Sequence, residues 1–487
     1  MSSLDYHERS KHRLRAYAPG PGRLDWANQP DPFRTFEGAP RIQLPLAADA
    51  LATRYRDVRA GVLPRPALLD AKSVAILFEL AFGLSAWKAF GGNRWALRCN
   101  PSSGNLHPTE AYLLCAAMEG LPGGLYHYVS RNHALEQRAA AEGPTGGLLI
   151  GITSIHWREA WKYGMRAWRY CQHDCGHAIA AVAYAAAVLG WQARMVSSVR
   201  LREALRNATW HGRANRLSDS HVEWCDIEAI HRATVKPATA ETGDAFAMEL
   251  PAPAAPATDL RFADLARQRR SAVDFDGVTS ISADAFFAML ECLLPRPGTP
   301  PWNAMPSPPR VHPAFMVHRV DGLGPGLYVL LRDPSAMASL KASMRPDWLW
   351  QKVGPEHLPL FLLLPHDLRA QARLICCHQD IAADSCFALG MLAHFACAIE
   401  EPWRYRHLFW ECGMLGHVLY LEAEAAGIRE IGGRGGGGCK AFDAAAAGGR
   451  AAGSKLILNE SVKGSHGHQV RRHRPPEPGQ SSLHRAG

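Results

Sequence analysis

Apolar residues along the chain change their spacing several times, and each change predicts a structural element. They recur every three or four positions over residues 72–90, which predicts a helix. The apolar run 111–117 predicts a strand, and residues 123–128 predict a turn into a second strand that pairs with it as a hairpin. A long helix is predicted from Cys171 onward, and Gly190 stands where a helix-ending glycine is expected.

The same pattern starts again in the second half of the chain. Residues 233–259 are rich in Ala, Pro and Thr and have no apolar period, which predicts a semi-extended linker. Beyond the linker three blocks recur in one order, 305–317 aligning with 100–112, 322–328 with 120–126, and 406–427 with 169–190. We therefore predict that the chain is two fused copies of one domain.

The predicted boundaries follow these changes of pattern. They are an N-terminal extension at 1–45, a first copy at 46–232, the linker at 233–259, a second copy at 260–439 and a basic tail at 440–487. The tail is rich in Ala and Gly and then basic and polar, a composition that predicts disorder.

Composition and charge narrow the class of protein. Apolar residues make up 47% of the chain and charged residues 20%, as in soluble globular proteins. The net charge is +9, but the 440–487 tail carries much of it, so no nucleic-acid partner is expected. Twelve cysteines without an N-terminal secretion signal predict reduced thiols in the cytoplasm. The longest apolar stretch, 178–189, is shorter than the roughly 18–20 residues of a spanning helix, so no membrane association is expected.

The loop from Arg98 to Pro108 is the first candidate for chemistry. Ser102, Ser103 and Gly104 carry little side-chain bulk, so the backbone can approach a flat ligand closely and offer N–H and hydroxyl donors. Such a loop suits the edge of an aromatic cofactor rich in acceptors. The alternative interpretation is an ordinary surface turn that precedes a strand.

The loop sequence resembles a known motif. Its pattern, Arg-x-x-Pro-Ser-Ser-Gly-x-Leu-x-Pro-x-Glu-x-Tyr from Arg98 to Tyr112, is similar to the flavin-contacting loop of nitroreductase-like FMN proteins. It is most similar to their SagB-type branch, the thiazole/oxazole dehydrogenases. The resemblance implies an α+β fold in which each copy is an antiparallel sheet flanked by helices. It also implies that the two fused copies form an intramolecular pseudo-dimer, because FMN in this family lies between two subunits.

The second copy supplies a different part of the expected site. Arg269, Arg270 and Ser271 resemble the family's Arg-Arg-Ser-x-Arg segment, whose side chains hold the flavin phosphate and ring edge. A guanidinium group matches a phosphate in charge and geometry. Val273 stands where the last arginine of that segment belongs, and the alternative interpretation is a basic turn beside a helix.

Each copy retains the part that the other has lost. In the second copy Pro308 and Pro309 align with Ser103 and Gly104, and they remove the amide donors and add bulk. We therefore predict one composite FMN site and a dead reciprocal site, with a glycine-containing segment closing the composite site. The predicted cofactor-binding residues are Arg98, Pro101, Ser102, Ser103, Gly104, Asn105, Arg269, Arg270, Ser271, Gly432 and Gly433.

The residues between Cys171 and His177 include two cysteines and two histidines, but residues two apart on a helix face different sides. Core cysteines and hydrogen-bonded histidines are therefore expected here, and no metal site is assigned. Aromatic and basic residues are candidates for the substrate side, with core packing as the alternative. They are Tyr112, Tyr126, Trp161, Lys162 and Tyr163.

The resemblance implies an FMN-dependent oxidoreductase that moves hydride through flavin N5. Since the flavin carries the chemistry, no catalytic side chain is assigned. The SagB-type branch suggests azoline dehydrogenation in a modified peptide, and the wider superfamily suggests reduction of small molecules with NAD(P)H as the donor. The competing hypothesis is a flavin-deficient scaffold or peptide-binding partner in a biosynthetic complex. The sequence leaves the substrate and any oligomerisation beyond the pseudo-dimer open.

Overall fold

The computed structural model describes most of the chain. The described residues are 1–13, 16–196, 205–206, 208–237, 248–272, 274–296, 298–305, 307–393, 395, 399–428 and the backbone of 439–445. The predicted site residues Gly432 and Gly433, the predicted departure at Val273 and nearly all of the predicted tail lie outside them. The described residues form one compact unit.

The first half of the chain alternates helices with short strands. They are α1 Ser3–Arg9, β1 Phe36–Glu37, β2 Arg41–Gln43, α2 Tyr55–Arg59, α3 Ala71–Phe82, β3 Leu84–Phe90, β4 Asn93–Arg98, β5 Thr109–Cys115, β6 Gly124–Val129, β7 Ala134–Ala139, β8 Leu148–Ser154, α4 His156–Tyr163, α5 Ala167–Ala187, β9 Arg213–Ala214 and α6 Cys225–Ala233.

The second half follows a similar order. Its elements are α7 Phe262–Gln268, β10 Ile281–Ser282, α8 Ala283–Glu291, β11 Val311–Val317, β12 Val320–Asp321, β13 Gly326–Leu330, α9 Met337–Ser343, β14 Gln351–Val353, β15 Leu360–Leu364, α10 Arg369–Ile375, α11 Ile381–Asp384, β16 Phe387–Ala393, α12 Arg404–Ala425 and β17 Cys439–Ala445.

Each half contributes one larger sheet. The first has the order β2-β7-β6-β5-β8 and the second the order β14-β15-β13-β11-β16-β17. All neighbouring strands in them are antiparallel except β16 and β17, which are parallel. The remaining strands form the small pairs β1-β9, β3-β4 and β10-β12. The predicted α+β class, with antiparallel sheets flanked by helices, is therefore confirmed.

The predicted helix over residues 72–90 is wrong in its second part. The helix α3 ends at Phe82, and the following residues form β3, which pairs with β4 as a hairpin. Gly83 makes this change of direction possible, since a Cβ atom there would clash with the carbonyl oxygen of Glu79. The amide of Cys99 then donates to the carbonyl of Gly83 at 2.9 Å and holds the base of the hairpin.

Other predicted elements are confirmed with small changes of boundary. The apolar run predicted as a strand at 111–117 lies in β5 as far as Cys115, and β6 pairs with β5 as the expected antiparallel hairpin. The long helix α5 begins at Ala167, four residues before its predicted start. Gly190 has a φ of +71°, in the left-handed region that glycine adopts without strain.

Two tyrosines mark equivalent places in the two sheets. The hydroxyl of Tyr126 in β6 donates to the carbonyl of Pro122 at 2.6 Å. The hydroxyl of Tyr328 in β13 donates to the carbonyl of Gly324 at 2.7 Å in the same way. β6 pairs with β5, and β13 pairs with β11 in the same antiparallel way. We therefore take β5 and β11 as corresponding strands of the two sheets.

This correspondence corrects the register of the first repeat block. Leu113 lies opposite Tyr126 and Phe315 lies opposite Tyr328, so β5 and β11 begin at equivalent positions. The sequence alignment of 305–317 with 100–112 is therefore out of register by three residues.

The error has a physical explanation in the two His-Pro pairs that the alignment matched. Pro108 precedes β5, whereas Pro313 lies within β11, where it faces Met391 in the ladder with β16. Identical dipeptides thus occupy different positions in the two sheets.

The halves meet in a reciprocal arrangement. The amide of Tyr55 donates to Leu260 at 3.0 Å, and the amide of Phe262 donates to Thr53 at 2.9 Å. The segments that begin α2 and α7 therefore pair with each other as a twofold relation requires. Buried residues of both halves belong to one continuous hydrophobic core.

The long helices α5 and α12 pack against each other where both contain a glycine. A Cβ atom on Gly176 would clash with the carbonyl of Trp410, and one on Gly413 would clash with the carbonyl of His173. Each glycine therefore lets the backbone of the other helix approach directly. This packing fits the expected contact of the long helices at the centre of a pseudo-dimer.

Candidate functional site

The predicted flavin loop is a strained turn between β4 and β5. Its residues Ser103–Asn105 form a single 3-10 turn. Gly104, Asn105 and His107 have positive φ angles of 60°, 59° and 51°. Such angles are uncommon outside glycine and concentrate at functional sites. The turn is therefore compact, and its backbone is strained at three consecutive or nearby residues.

Arg98 holds the base of the loop from inside. Its guanidinium group is buried and donates to the carbonyls of Thr109 and Pro32, each at 2.9 Å. Burial lowers the pKa of Arg98 to about 10. Its Nε atom is buried and has no hydrogen-bond partner among the described residues. The hydrogen bonds of Arg98 thus mainly hold the backbone on either side of the loop in place. Its Nε remains as one donor without a partner among the described residues.

The donors of the loop are engaged by the protein itself. The amide and hydroxyl of Ser103 donate to Oδ1 of Asp174, at 3.0 and 2.9 Å. The hydroxyl of Ser102 accepts from the amide of His107 at 2.8 Å, and the side-chain amide of Asn105 donates to Ala96 at 2.9 Å. Sequence reasoning missed Asp174, which lies in the stretch that was considered only for metal binding.

Two buried acids lie on the helices behind the loop. Burial raises the pKa of Asp174 to about 6, against the opposing effect of the hydrogen bonds from Ser102 and Ser103. Burial, with Asp174 nearby, raises the pKa of Glu159 well above its ordinary range. Both carboxyl oxygens of Glu159 are buried without a partner among the described residues. Burial therefore favours the protonated form of both carboxyl groups.

Lys162 and Tyr163 lie against Gly104 of the loop. A Cβ atom on Gly104 would lie 2.6 Å from the hydroxyl of Tyr163 and 3.2 Å from Nζ of Lys162. These two candidates for the substrate side are therefore at the loop. Tyr126 is instead buried in β6 with its hydroxyl on Pro122.

Arg269 brings the second half of the chain to the loop. It follows α7, is only 5% exposed, and donates from Nη2 to the carbonyl of Arg98 at 3.1 Å. Its guanidinium carbon lies 5.1 Å from the ring centre of Tyr420 on α12. The hydroxyl of Ser271 donates to the hydroxyl of Tyr420 at 3.1 Å. Residues of both halves thus meet at this place, and Tyr420 joins them although the sequence did not single it out.

The side chain of Arg270 forms hydrogen bonds with the end of α7 and with β3. Its Nη1 donates to the carbonyls of Arg267 and Arg269 at 2.6 and 2.8 Å, and its Nη2 donates to the carbonyl of Ser85 at 3.2 Å. These bonds cap the end of α7 and attach it to β3. Of the three predicted residues in this segment, Arg269 is therefore the one placed deepest in the corner.

Buried histidines surround Arg269. Burial, with Arg269 nearby, lowers the pKa of His417 to about 3, and burial with other cations lowers those of His107 and His177 well below the ordinary value. All three rings are therefore neutral at pH 7. The Nδ1 atom of each is buried and without a partner among the described residues, as is Nε of Arg269. We call Arg98, His107, His177, Arg269 and His417 the Arg269 corner.

A buried row of charges supports the loop from the sheet. Arg158 donates to the carbonyl of His107 at 2.8 Å and forms an ion pair with Glu110. His127 lies between Glu110 at 2.7 Å and Glu136 at 3.4 Å, which raises the pKa of its imidazole against the effect of burial. These contacts hold the end of the loop at His107 and the start of β5 at Glu110 in place.

The described residues contain no group of three or more His, Cys, Asp or Glu side chains that could hold a metal ion. The cysteines among the described residues form no disulfide bond with one another. Within the described part of the chain, none of the helices combines the length and apolarity that a membrane crossing requires.

Comparison with solved structures identifies the fold. The structure superposes on a candidate nitroreductase from Anabaena variabilis with a TM-score of 0.59 and 19% identity, over 87% of this chain and 91% of the other. A candidate nitroreductase from Ralstonia eutropha matches 42% of this chain and 100% of its own at 19% identity, but its TM-score of 0.23 supports no argument. No protein-family model and no curated protein matches the sequence.

The chain therefore has the nitroreductase-like fold, as the loop motif predicted. The match to the Anabaena protein spans both halves of the chain, because it covers 87% of the residues. A fold does not establish an activity, so the function rests on the residues of the site.

Proposed function

We propose that the protein is an FMN-dependent oxidoreductase, formed by tandem duplication, with one composite site between its halves. The observation that carries this proposal is the contact of Arg269 with the carbonyl of Arg98. It brings the arginine of the second half against the Pro-Ser-Ser-Gly loop of the first. This contact connects the two sequence segments that separately resemble flavin-binding motifs.

The donor set of the Arg269 corner fits an acceptor-rich anionic cofactor. The two buried guanidinium groups of Arg98 and Arg269 and three neutral imidazole rings present polar atoms without partners among the described residues. Buried polar atoms are normally paired, and unpaired ones call for a ligand or water. FMN carries a phosphate and a ring edge rich in acceptors, and when bound it supplies hydride acceptance and donation at N5.

The protein residues would bind and orient the cofactor. Arg269 would bind an anionic or carbonyl group of the cofactor, since its charge is fixed and its Nε is unpartnered. The turn at Ser103–Asn105 would let the backbone approach the ring, because Gly104 has no side chain. Lys162 and Tyr163 border the same turn and are candidates for contact with substrate.

The narrower assignment rests on the loop motif. Its similarity to the SagB-type branch favours dehydrogenation of an azoline or another heterocycle in a modified peptide. A small-molecule substrate with NAD(P)H as the electron donor is the broader possibility within the superfamily. We propose a cytoplasmic location, in keeping with cysteines that form no disulfide bonds among the described residues.

A second candidate function is a scaffold whose flavin site has decayed. Asp174 favours it, because this buried carboxylate takes the amide and hydroxyl of Ser103 that a cofactor would use. The side chains of Lys162 and Tyr163 against Gly104 favour it as well. In that case the chain would bind a partner or peptide without redox chemistry.

The experiment that tests the proposal is an FMN titration of the wild-type protein and the Arg269→Met variant, followed by flavin fluorescence. Loss of a charge-assisted contact is expected to weaken FMN binding at least about tenfold. The matched control is Arg373→Met, an arginine whose side chain is 53% exposed, which is expected to leave binding unchanged. Equal FMN affinity of all three proteins would contradict the composite site. Absence of FMN binding by the folded wild-type protein would favour the scaffold.

A further inference from the structure

The β3–β4 hairpin stands beside the Pro-Ser-Ser-Gly loop, because β4 ends at Arg98, where the loop begins. Its tip turns at Gly91 and Gly92, whose φ angles are 55° and 81°. A Cβ atom on either glycine would have no neighbour within 4 Å. The outer part of the hairpin therefore lies clear of the other described residues.

Contacts from both halves of the chain hold the base of the hairpin. The side-chain amide of Asn105 donates to the carbonyl of Ala96 in β4 at 2.9 Å, and Nη2 of Arg270 donates to the carbonyl of Ser85 in β3 at 3.2 Å. Among the described residues, no further strand pairs with β3 or β4. Beyond the base, the outer edges therefore keep backbone donors and acceptors open to another chain.

The hairpin also exposes three large aromatic side chains. Phe90 is 81% exposed, Trp87 is 39% exposed and Trp95 is 37% exposed. Phe90 and Trp95 lie on one face together with Lys88, since Lys88 lies opposite Trp95 in the ladder and alternate residues of a strand share a face. Exposed aromatic rings grouped in this way are typical of surfaces that contact a partner.

The charge of the hairpin has one sign. Residues 84–98 contain Lys88, Arg94 and the buried Arg98, and they contain no Asp or Glu. The guanidinium carbon of Arg94 lies 4.2 Å from the ring centre of Trp87. Lys88 and Arg94 form no ion pair with another of the described residues. Two cations beside open strand edges favour a partner of negative charge.

We propose that the β3–β4 hairpin is a docking site for an acidic, extended peptide segment, which pairs with a free strand edge and places carboxylates near Lys88 and Arg94. Backbone hydrogen bonds would hold such a segment, and its alternate side chains would contact the aromatic rings. A segment bound here would lie beside the flavin-like loop. The inference rests on the proposed function and deepens it, because it names the place where a peptide substrate is held.

Two other occupants fit these observations less well. A single-stranded nucleic acid needs a track of cations along its phosphates and aromatic faces free for stacking, whereas Arg94 covers one face of Trp87. A second copy of the chain would bring like charges together, which opposes association. An acidic peptide meets neither difficulty.

The test measures binding of a fluorescein-labelled peptide of about eight residues, close to the length of β3, in which glutamate alternates with valine. Fluorescence anisotropy follows binding to the full chain with and without FMN. We expect binding that weakens as sodium chloride is added, because salt screens the charges. A peptide with lysine in place of glutamate, and one with proline in place of valine, are expected to bind much more weakly. The first reverses the charge, and the second removes amide donors.

Phe90→Ser and Arg94→Glu are each expected to weaken binding of the glutamate–valine peptide by about threefold to tenfold. Both side chains are exposed, so the variants should fold, and circular dichroism checks this. The matched controls are Leu68→Ser, at a leucine that is 76% exposed, and Arg373→Glu, at an arginine whose side chain is 53% exposed. Both controls should bind the peptide as the wild-type protein does.

Absence of peptide binding by the folded wild-type protein, or equal binding by the hairpin variants and the controls, would overturn the docking site. Tighter binding of an oligothymidylate than of the peptide would overturn it in favour of nucleic acid. Self-association of the wild-type protein that Phe90→Ser abolishes would overturn it in favour of a second copy.

Flavin fluorescence scores FMN binding separately, and Phe90→Ser and Arg94→Glu should bind FMN as the wild-type protein does. Peptide binding without FMN binding would support the docking site and contradict the oxidoreductase alone. FMN binding without peptide binding would overturn the docking site alone.

Discussion

Asp174 determines which groups of the Ser-Ser-Gly loop are available to a ligand. It accepts from both the amide and the hydroxyl of Ser103, and burial raises its pKa to about 6. The loop is therefore held in its strained conformation by an ionisable group. Its sequence neighbours, two cysteines and two histidines, suggested only a metal site, so nothing in the local pattern indicated this contact.

The raised pKa of Asp174 predicts a specific dependence of stability on pH. In the unfolded chain this carboxyl titrates near 3.8 and in the folded chain near 6, so the folded state binds its proton more tightly. Its contribution to stability is therefore full below pH 4 and is lost as pH rises to about 6. The loss is of the order of 3 kcal/mol, from about 1.4 kcal/mol per pKa unit.

The Asp174→Asn variant isolates this contribution, since the amide oxygen can still accept from Ser103 but carries no charge. We expect the free energy of unfolding of the wild-type protein, minus that of the variant, to fall between pH 4 and 6. Urea denaturation at several pH values measures it. Asp380→Asn, at an aspartate that is 70% exposed, serves as the control. A difference that stays constant over this range would show that Asp174 is not desolvated.

At the scale of elements, the packing of α5 on α12 depends on the absence of two side chains. Gly176→Ala would place a Cβ atom against the carbonyl of Trp410 in the facing helix. Because that neighbour is backbone, the helices must separate, and we expect a loss of about 1–3 kcal/mol in the free energy of unfolding. Gly20→Ala is the control, because it has open space around the new atom. Chemical denaturation of both variants measures the effect, and equal stability would contradict the close helix packing.

The sequence predicted some elements well and others poorly. The β5–β6 hairpin and α5 follow from apolar periodicity and from turn and stop signals, which act locally. The β3–β4 hairpin was missed because Leu84 extends the helical period beyond Gly83. The hairpin projects into solvent, with Phe90 81% exposed, so burial contributed no alternating pattern there.

At the scale of the whole molecule, the two halves share one core and one set of reciprocal contacts. The predicted meeting of Arg98 and Arg269 could be deduced because each segment carried its own motif, and the structure brings them within hydrogen-bonding distance. The contributions of Tyr420, His177 and His417 could not be deduced in this way. They depend on the register of two helices that pack across the molecule.

The two halves also differ in sequence where the first half carries its flavin-like loop. The second half has no Pro-Ser-Ser-Gly sequence, and its Pro308 and Pro309 lack amide donors. The account therefore assigns cofactor binding to the Arg269 corner alone.

Counting the flavin bound per chain tests the central claim most directly. The purified protein is saturated with FMN, freed of excess by gel filtration, and its flavin absorbance is compared with its protein concentration. The account predicts one FMN per chain, because Arg269 contacts Arg98 at the base of the Pro-Ser-Ser-Gly loop, and the second half of the sequence has no such loop. Two FMN per chain, or none after saturation of the folded protein, would contradict it.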